Sequence, residues 1–542
     1  MSETFARTGA LLRLHVRRDR IRGALWVLGI SAFVPYVMTA YTTLLSDPQD
    51  MQAILGMVAN PTMKLFTGPG FGVGAETVDN ALAQQLIFAG VYWAYLLIFV
   101  ALMNILLVSR HTRQDEQAGR AELIRANAVG RDAPLTSALA WVILCDIAVG
   151  GIMALALSAY DSPLSSSILM GVATAGFGLF FAGVTALTAQ VSGFSSTTSG
   201  LAGAVLGIAY LVRGFGDMMS APGEYGTWVS WLSPFGWAQQ TAVFHDDRWW
   251  PTLLLFGGAM VLVGVAFVLQ AHRDLGSGML TVRRGRTRAP GWVRTPMSVS
   301  WVILAGQAFW WSLAFVLAAV MYGSFTGAMV DAFAELPDLF QQLMGGSEGA
   351  LEGYLTLTVA MFRIMLAVYV VIGIGKLRAE EREGRLEPLL ATPVTPRTWL
   401  FAGVVLLAAV AAALAVVLGA VAGAFATGVD DNTAWILRGV AAGAAGIPAV
   451  AMVLGLAAAL YALRPRLTPL AWIPVVAGGI ISLFGDLMQL PDPVRQLSPF
   501  EHTPQMPAQE FAGVPVLIQS AVALGLVGFA VVQIGRRDIP AE

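Results

Sequence analysis

Residues 376–400 read Lys-Leu-Arg-Ala-Glu-Glu-Arg-Glu-Gly-Arg-Leu-Glu-Pro-Leu-Leu-Ala-Thr-Pro-Val-Thr-Pro-Arg-Thr-Trp-Leu, a charged interval in a strongly apolar chain. Residues 113–135, Arg-Gln-Asp-Glu-Gln-Ala-Gly-Arg-Ala-Glu-Leu-Ile-Arg-Ala-Asn-Ala-Val-Gly-Arg-Asp-Ala-Pro-Leu, answer it at a constant offset of 265 positions. Without a gap, Glu116 falls on Glu381, Gly119 on Gly384, Arg120 on Arg385, Glu122 on Glu387 and Val129 on Val394. The same offset carries Leu232-Ser233-Pro234-Phe235 onto Leu497-Ser498-Pro499-Phe500. One offset shared by two well-separated motifs marks two fused copies of one unit.

Composition fixes the solvent in which that unit folds. Of 542 residues, 56% are apolar and only 12% charged, with a mean hydropathy of +0.69. A water-soluble chain of this length cannot hide so much apolar surface, so the class is a polytopic membrane protein. The net charge of −2 gives no reason to expect a nucleic-acid partner. Cys145 is the one cysteine, which excludes a disulfide framework and a thiolate metal site. The five histidines, His15, His111, His245, His272 and His502, have no metal-ligand spacing, and nothing resembles a hydrolytic triad. No catalytic residue and no metal is expected. Only Lys64 and Lys376 among the 32 basic residues are lysines, which points to a GC-rich bacterial source.

A spanning helix needs about 20 apolar residues. That rule places spans near 23–45, 85–108, 135–158, 166–189, 197–214 and 251–270. The second copy gives spans near 300–322, 354–375, 399–426, 436–460, 468–485 and 512–534. The expected fold is therefore all-α, with twelve transmembrane helices as two parallel six-helix repeats. Repeat one covers 1–270, a cytoplasmic linker 271–298, and repeat two 299–542. Residues 9–21, rich in arginine and leucine, are expected to lie as an interfacial helix. After the fifth span of each copy, Pro- and Trp-containing stretches suit short helices that dip into the outer leaflet. Loops at 46–84 and 323–353 fall outside.

Arginine counting sets the orientation. With the N-terminus inside, the inside segments hold 26 of the 32 basic residues. Both termini are then cytoplasmic, and so are the two charged intervals. In each interval the second span is expected to run past the membrane and stop at Gly119 or Gly384, where glycine takes a left-handed cap. A short amphipathic helix comes next, Ala121 to Asn127 or Leu386 to Thr392, closed by Asp132 and Pro134 or by Pro393 and Pro396. A short helix clamped between two spans would carry force from a soluble partner into the membrane. A solvated charged loop is the plain alternative, but recurrence of acid and base at equal offsets favours the first reading.

The Glu-x-x-Gly-Arg-x-Glu pattern at 116–122 and 381–387 resembles the coupling-loop motif of ABC-2 type permeases. More narrowly, the chain resembles the two-repeat actinobacterial permeases described as exporters of polyketide antibiotics, the tetronasin-type family. Supporting stretches are Tyr210-Leu-Val-Arg-Gly-Phe-Gly-Asp217, Ser233-Pro-Phe-Gly-Trp237, Arg248-Trp-Trp250, Arg273-Asp-Leu-Gly276 and Arg537-Asp538. The second copy departs at Ser498-Pro-Phe-Glu-His502, and its entry helix lacks the arginines of the first. The resemblance implies a permease of a bacterial plasma-membrane exporter, powered by two copies of a separate ATPase subunit that bind ATP and Mg. On that reading Glu116, Gly119, Arg120, Glu122, Glu381, Gly384, Arg385 and Glu387 couple to the ATPase. The residues agree in one respect: there is no Gly-x-x-x-x-Gly-Lys-Ser/Thr in this chain and no cofactor of its own is expected.

Two further sets are candidates. Phe88, Tyr92, Tyr95 and Phe99 have spacings of 4, 3 and 4 in the second span, with Asn104 below. They would suit a ring-bearing cargo, though such stripes more often pack helices or face lipid. Arg213 and Asp217 form an i,i+4 pair that would brace an outer gate. Asp146 and Arg363 are the deepest ionisable residues, and such groups are costly in a bilayer. The expected function is export of a hydrophobic or amphipathic drug or antibiotic. Export of a lipid or glycolipid for the cell envelope is its rival, and an ion-gradient-driven secondary transporter is the alternative of another class.

Overall fold

The computed structural model describes residues 3–44, 61–73, 82–220, 224–274, 276–279, 289–327, 329–330, 349–485 and 490–538. Most of the two loops at 46–84 and 323–353 lies outside the described residues, as do Arg283, Arg284, Arg286 and Arg288 of the linker. Among the described residues, twelve helices are long and apolar enough to cross a membrane, and no β-strand occurs. Spans 1 to 6 are Thr8–Thr39, Ala83–Gln117, Ala133–Ser158, Leu164–Val191, Ser195–Met218 and Pro251–Ala271. Spans 7 to 12 are Pro296–Ser324, Ala350–Arg382, Pro396–Asp430, Ala434–Leu463, Pro465–Leu483 and Gly513–Ile534. The chain is an all-α polytopic membrane protein. Helices are the natural solution, because a backbone surrounded by hydrocarbon must satisfy its own hydrogen bonds. The spans divide six and six between two compact units, Met1–Gly285 and Arg286–Glu542.

Sequence punctuation sets the helix starts. Thr295 and Thr395 each form a capping box, with Ser298 and Thr398 as the reciprocal partners and a proline at the first helical position. The second helix of each unit is long, 35 residues in span 2 and 33 in span 8. That exceeds what a bilayer requires, so its last turns leave the membrane and carry the charged interval. The segment assigned to an interfacial helix at 9–21 is continuous with span 1. The break falls inside it, at Asp19, whose φ and ψ are −111° and 16°. Asp19 is fully buried and holds Arg110 at 3.1 Å and His111 at 2.7 Å. A buried acid therefore draws the arginine-rich segment against span 2.

Glycine governs how the third and fourth spans of each unit meet. In unit 1, a Cβ on Gly150 would lie 2.5 Å from the Gly171 carbonyl oxygen. In unit 2, Gly419 and Gly423 of span 9 face Gly439 and Gly443 of span 10; a Cβ on Gly419 would meet the Gly439 backbone. On each helix three residues separate the two glycines, the small-x-x-x-small pattern that lets two backbones touch. Lipid supplies no hydrophobic drive between helices, so this close approach supplies dispersion contacts instead.

The stretches after the fifth spans fold differently in the two units. Pro234–Gln239 is a short helix whose N-cap, Ser233, accepts from the Phe235 N–H at 3.2 Å and donates to the Ala209 carbonyl at 2.7 Å. Ser498 repeats both bonds, accepting from the Phe500 N–H at 3.2 Å and donating to the Gly478 carbonyl at 2.9 Å. The residues beyond Phe500 form turns rather than a helix.

Gly439→Leu should force spans 9 and 10 apart at a cost of about 1–3 kcal/mol. Thermal unfolding of the detergent-purified chain measures it, with Gly525→Leu, which has open space around it, as the control. Equal melting of the two variants would show that the glycine contact does not hold the crossing.

Candidate functional site

The charged intervals are built on one plan in both units. Span 2 leaves the membrane through a π-helical turn, Arg110–Gln114, and Gly119 turns the chain with φ +68°. Gly384 does the same with φ +69°. Only glycine takes this left-handed conformation without strain. A salt bridge spans each turn. Asp115 holds Arg120 at 2.7 Å, and Glu380 holds Arg385 at 2.6 Å. In unit 1 the bridge is extended by Arg18 of span 1, 2.9 Å from Asp115. The hydrogen bonds that Arg385 donates to Glu380 and then Glu383 raise its pKa above the usual value. A short helix comes next, Arg120–Arg125 in unit 1 and Glu387–Leu390 in unit 2. Both are shorter than the sequence suggested.

Glu116 and Glu381 do not face water. Arg273 donates to both Glu116 oxygens, Nη2 to Oε1 at 2.7 Å and Nη1 to Oε2 at 2.9 Å. Arg113 adds a third bond to Oε2 at 2.8 Å. Arg273 also reaches Gln190 at the end of span 4, at 2.9 Å, and Arg113 bonds the neighbouring Ala189 carbonyl. Thus one carboxylate ties the exit of span 2 to the end of span 4 and to the segment just after span 6. Unit 2 repeats the tie with Arg537, whose Nη2 lies 2.5 Å from Glu381 Oε2 and whose Nη1 donates to the Tyr461 carbonyl at 3.0 Å. The Tyr461 hydroxyl donates to the same Glu381 oxygen. Arg273 and Arg537 were visible in the sequence as Arg-Asp pairs just after the last span of each copy, but their partners were not.

The rest of the motif is outward. Glu122 and Glu387 are exposed, and Leu123 beside Glu122 is 72% exposed. The eight motif residues therefore divide by task. Glu116, Glu381, Arg120, Arg385 and the two glycines build the turn, while Glu122 and Glu387 present its surface.

The Arg213–Asp217 pair is present, at 3.6 Å and wholly buried. Ser230 donates to Asp217 at 2.6 Å, and the Arg213 guanidinium lies over Tyr210, 4.7 Å from its ring centre. Tyr210 in turn bonds the Phe66 carbonyl at 2.6 Å and faces Phe235 at 5.5 Å. Two stretches separate in sequence, Tyr210 to Asp217 and Ser230 to Phe235, meet in one knot.

The aromatic stripe does not stay on one face. A π-helical turn at Phe88–Tyr92 inserts a residue and rotates the helix beyond it. Phe88 is fully buried and Phe99 is 53% exposed. Tyr92 faces Phe33 of span 1 at 6.1 Å, whereas Tyr95 bonds Tyr210. Asn104 is buried and donates to Asp146 Oδ1 at 2.8 Å, so these two deep polar residues answer each other. Arg363 lies buried in span 8. Among the described residues, no group of three or more potential metal ligands occurs.

Twelve spans, with charged ties at one end of each unit and a polar knot at the other end of the first, define a multi-pass membrane protein. Residues 9–269 and 293–534 match the family model described as "Multidrug efflux system permease Rv1217c, C-terminal domain". The chain is 33% identical over 541 residues to the multidrug efflux system permease protein Rv1217c of Mycobacterium tuberculosis (strain H37Rv), across 99% of this chain and 96% of that protein. The chain belongs to this family of multidrug efflux permeases, and is a transporter component rather than an enzyme.

Glu116→Ala would strand Arg113 and Arg273, which are 0% and 6% exposed at the side chain. Removing one partner of a buried ion pair costs about 3–5 kcal/mol. Glu381→Ala should act similarly on Arg537, whereas exposed Glu122→Ala should shift stability by less than about 0.5 kcal/mol. Thermal unfolding of the purified variants ranks them; a ranking with Glu122→Ala worst overturns the division of the motif.

Proposed function

We propose that this chain is the permease of an ATP-driven ABC exporter of the ABC-2 type, within the tetronasin-type two-repeat family. It carries a hydrophobic or amphipathic drug or antibiotic out across the bacterial plasma membrane. The two permease repeats are 1–270 and 299–542, joined by a cytoplasmic linker at 271–298, with both termini inside. The relative from M. tuberculosis is named a multidrug efflux permease, which supports drugs as the cargo.

One observation carries the ATP-driven reading. Each unit builds the same rigid turn at the end of its second span, with a glutamate tied to the arginine after its last span. Such a turn transmits a push on its exposed short helix directly into two spans of the unit, because the charged tie leaves little slack. Two equal turns call for two copies of one ATPase, one beneath each, which supply ATP and Mg. The exposed Glu122, Leu123 and Glu387 are the contact points in this reading, while Glu116, Gly119, Arg120, Glu381, Gly384 and Arg385 pass the motion on. The Arg213–Asp217 knot would brace the outer gate, and Tyr92 and Tyr95 would face the cargo path from two sides.

Mild-detergent purification of the tagged chain should recover an ABC-type ATPase, and inside-out vesicles should take up drug on adding ATP. Leu123→Arg combined with Glu387→Arg should abolish ATPase recovery and ATP-driven uptake, with melting unchanged. Uptake driven by a proton or sodium gradient without any ATPase would replace this reading with a secondary transporter. ATP-driven flipping of lipid without drug uptake would replace the cargo.

A further inference from the structure

The first helix carries arginines on two sides as it enters span 1. Toward the rest of the unit, Arg18 holds Asp115 at 2.9 Å, and the buried Asp19 holds Arg110 and His111. Away from it stand Arg13, Arg17, Arg20 and Arg22. All four are exposed, and none has an ion pair or a side-chain hydrogen bond among the described residues. Arg13 and Arg17 lie one turn apart on one face, and Arg20 and Arg22 follow the break at Asp19. At about 1.5 Å per residue the four fall within roughly 14 Å of helix.

The surroundings select the partner. Leu14 and Val16 are exposed between the arginines, and Ile21, Leu25 and Leu28, 66%, 69% and 61% exposed, carry the open surface on into the span. No charged residue occurs from Ala24 to Tyr36. The open side of one helix thus changes from cationic to aliphatic, as a bilayer changes from headgroup to acyl chain. A soluble acidic partner would match the arginines and leave the interleaved aliphatic residues unused. Arginines that only set orientation act by number and need no common exposed side. Four like charges this close repel one another, since salt at about 0.1 M screens only beyond roughly 10 Å. Unit 2 enters differently: Arg294 is the one arginine between Pro290 and Trp301, and Trp292, Trp301 and Val302 are exposed there.

We infer that Arg13, Arg17, Arg20 and Arg22 form a docking surface for anionic phospholipids of the leaflet in which span 1 begins. Their guanidinium groups receive the phosphates, and Leu14, Ile21 and Leu25 lie along the adjoining acyl chains. A guanidinium offers a phosphate two parallel N–H donors, and each arginine near an anionic surface favours it roughly fivefold. Arg18 and Asp19 of the same helix hold the exit of span 2, so the lipids grip an element joined to the charged turn. The inference stands apart from the exporter reading, since cargo, energy source and direction do not enter it.

The test uses the full-length chain in neutral detergent micelles, titrated with fluorescent phosphatidylglycerol or phosphatidylcholine and read by anisotropy. At about 0.1 M salt the wild type should bind phosphatidylglycerol at least about fivefold more tightly than phosphatidylcholine. Near about 1 M, where charges are screened beyond roughly 3 Å, that preference should fall below about twofold. Arg13→Gln with Arg17→Gln should lose most of the preference, leave phosphatidylcholine binding unchanged and melt as the wild type does. Arg13→Lys with Arg17→Lys should keep it. Arg294→Gln with Arg382→Gln removes two exposed arginines elsewhere and should keep it too. If the first pair does not fold, Arg20→Gln with Arg22→Gln carries the same test. Equal affinity for the two lipids in the wild type overturns the surface. So does a preference that survives in both glutamine pairs, or one lost equally in the Arg294 and Arg382 pair. Glycerophosphate, a head without tails, should not displace the lipid at equal concentration; displacement would make this a site for free phosphate and overturn the lipid reading. Loss of a co-purifying ATPase from the Arg13 and Arg17 pair with lipid preference intact would assign the arginines to an acidic protein instead.

Discussion

A charge-assisted bond between one carboxylate and one guanidinium closes each unit of this protein. Glu116 meets Arg273, and Glu381 meets Arg537, across more than 150 residues of intervening chain. An exposed ion pair of this kind would be worth little. These pairs are largely shielded, share further donors, and stand where helices leave the membrane, so losing either partner leaves a charge with nowhere to go. The left-handed glycine and the salt bridge across it then set the direction in which the short helix departs. The exposed face of that helix is positioned by groups that are themselves hidden.

Within the membrane the restraint is of another kind. Lipid offers helices no hydrophobic reason to associate, so contact must come from shape. The third and fourth spans of both units meet through glycine, Gly150 with Gly171 and Gly419 with Gly439. Charged ties at the ends and bare backbone in the middle are complementary. The first are strong where water is near but excluded, and the second needs no polar group at all.

Much of this was legible in the sequence, and the repeat made it so. Hydropathy alone places twelve spans, and the offset singles out glutamate, glycine and arginine as a unit rather than as a run of charges. What the sequence could not supply was pairing over long separations. Arg273 and Arg537 stood in plain view after the last spans, and Asp115 and Glu380 sat next to the motif glutamates. Their partnerships appear only once six helices are packed. The aromatic stripe failed for a local reason. Spacings of 4, 3 and 4 assume an unbroken α-helix, and the π-helical turn at Phe88–Tyr92 breaks that assumption within the stripe itself. Asp19 carried no signal in the sequence, since nothing sets apart an acid among arginines, and it is buried.

The two units differ where the repeat is free to differ. Both keep the glutamate tie, the glycine turn and the serine-capped Ser-Pro-Phe turn. The polar knot of Arg213 and Asp217 has only Gly478 and Ser482 at the matching positions of the second copy, while Arg363 answers to Ile98 in the first. On the exporter reading this division has a physical cause. Two identical ATPase subunits demand two equal docking turns, so the cytoplasmic ends are held alike. A cargo carries no such symmetry: an amphipathic molecule has one polar end. A fused chain, unlike a dimer of identical half-chains, can therefore bury Asp146, Arg213 and Asp217 in one half and Arg363 in the other. On this view the fusion of two copies is what lets the buried polar groups of the membrane interior differ between the halves while the charged turns stay duplicate.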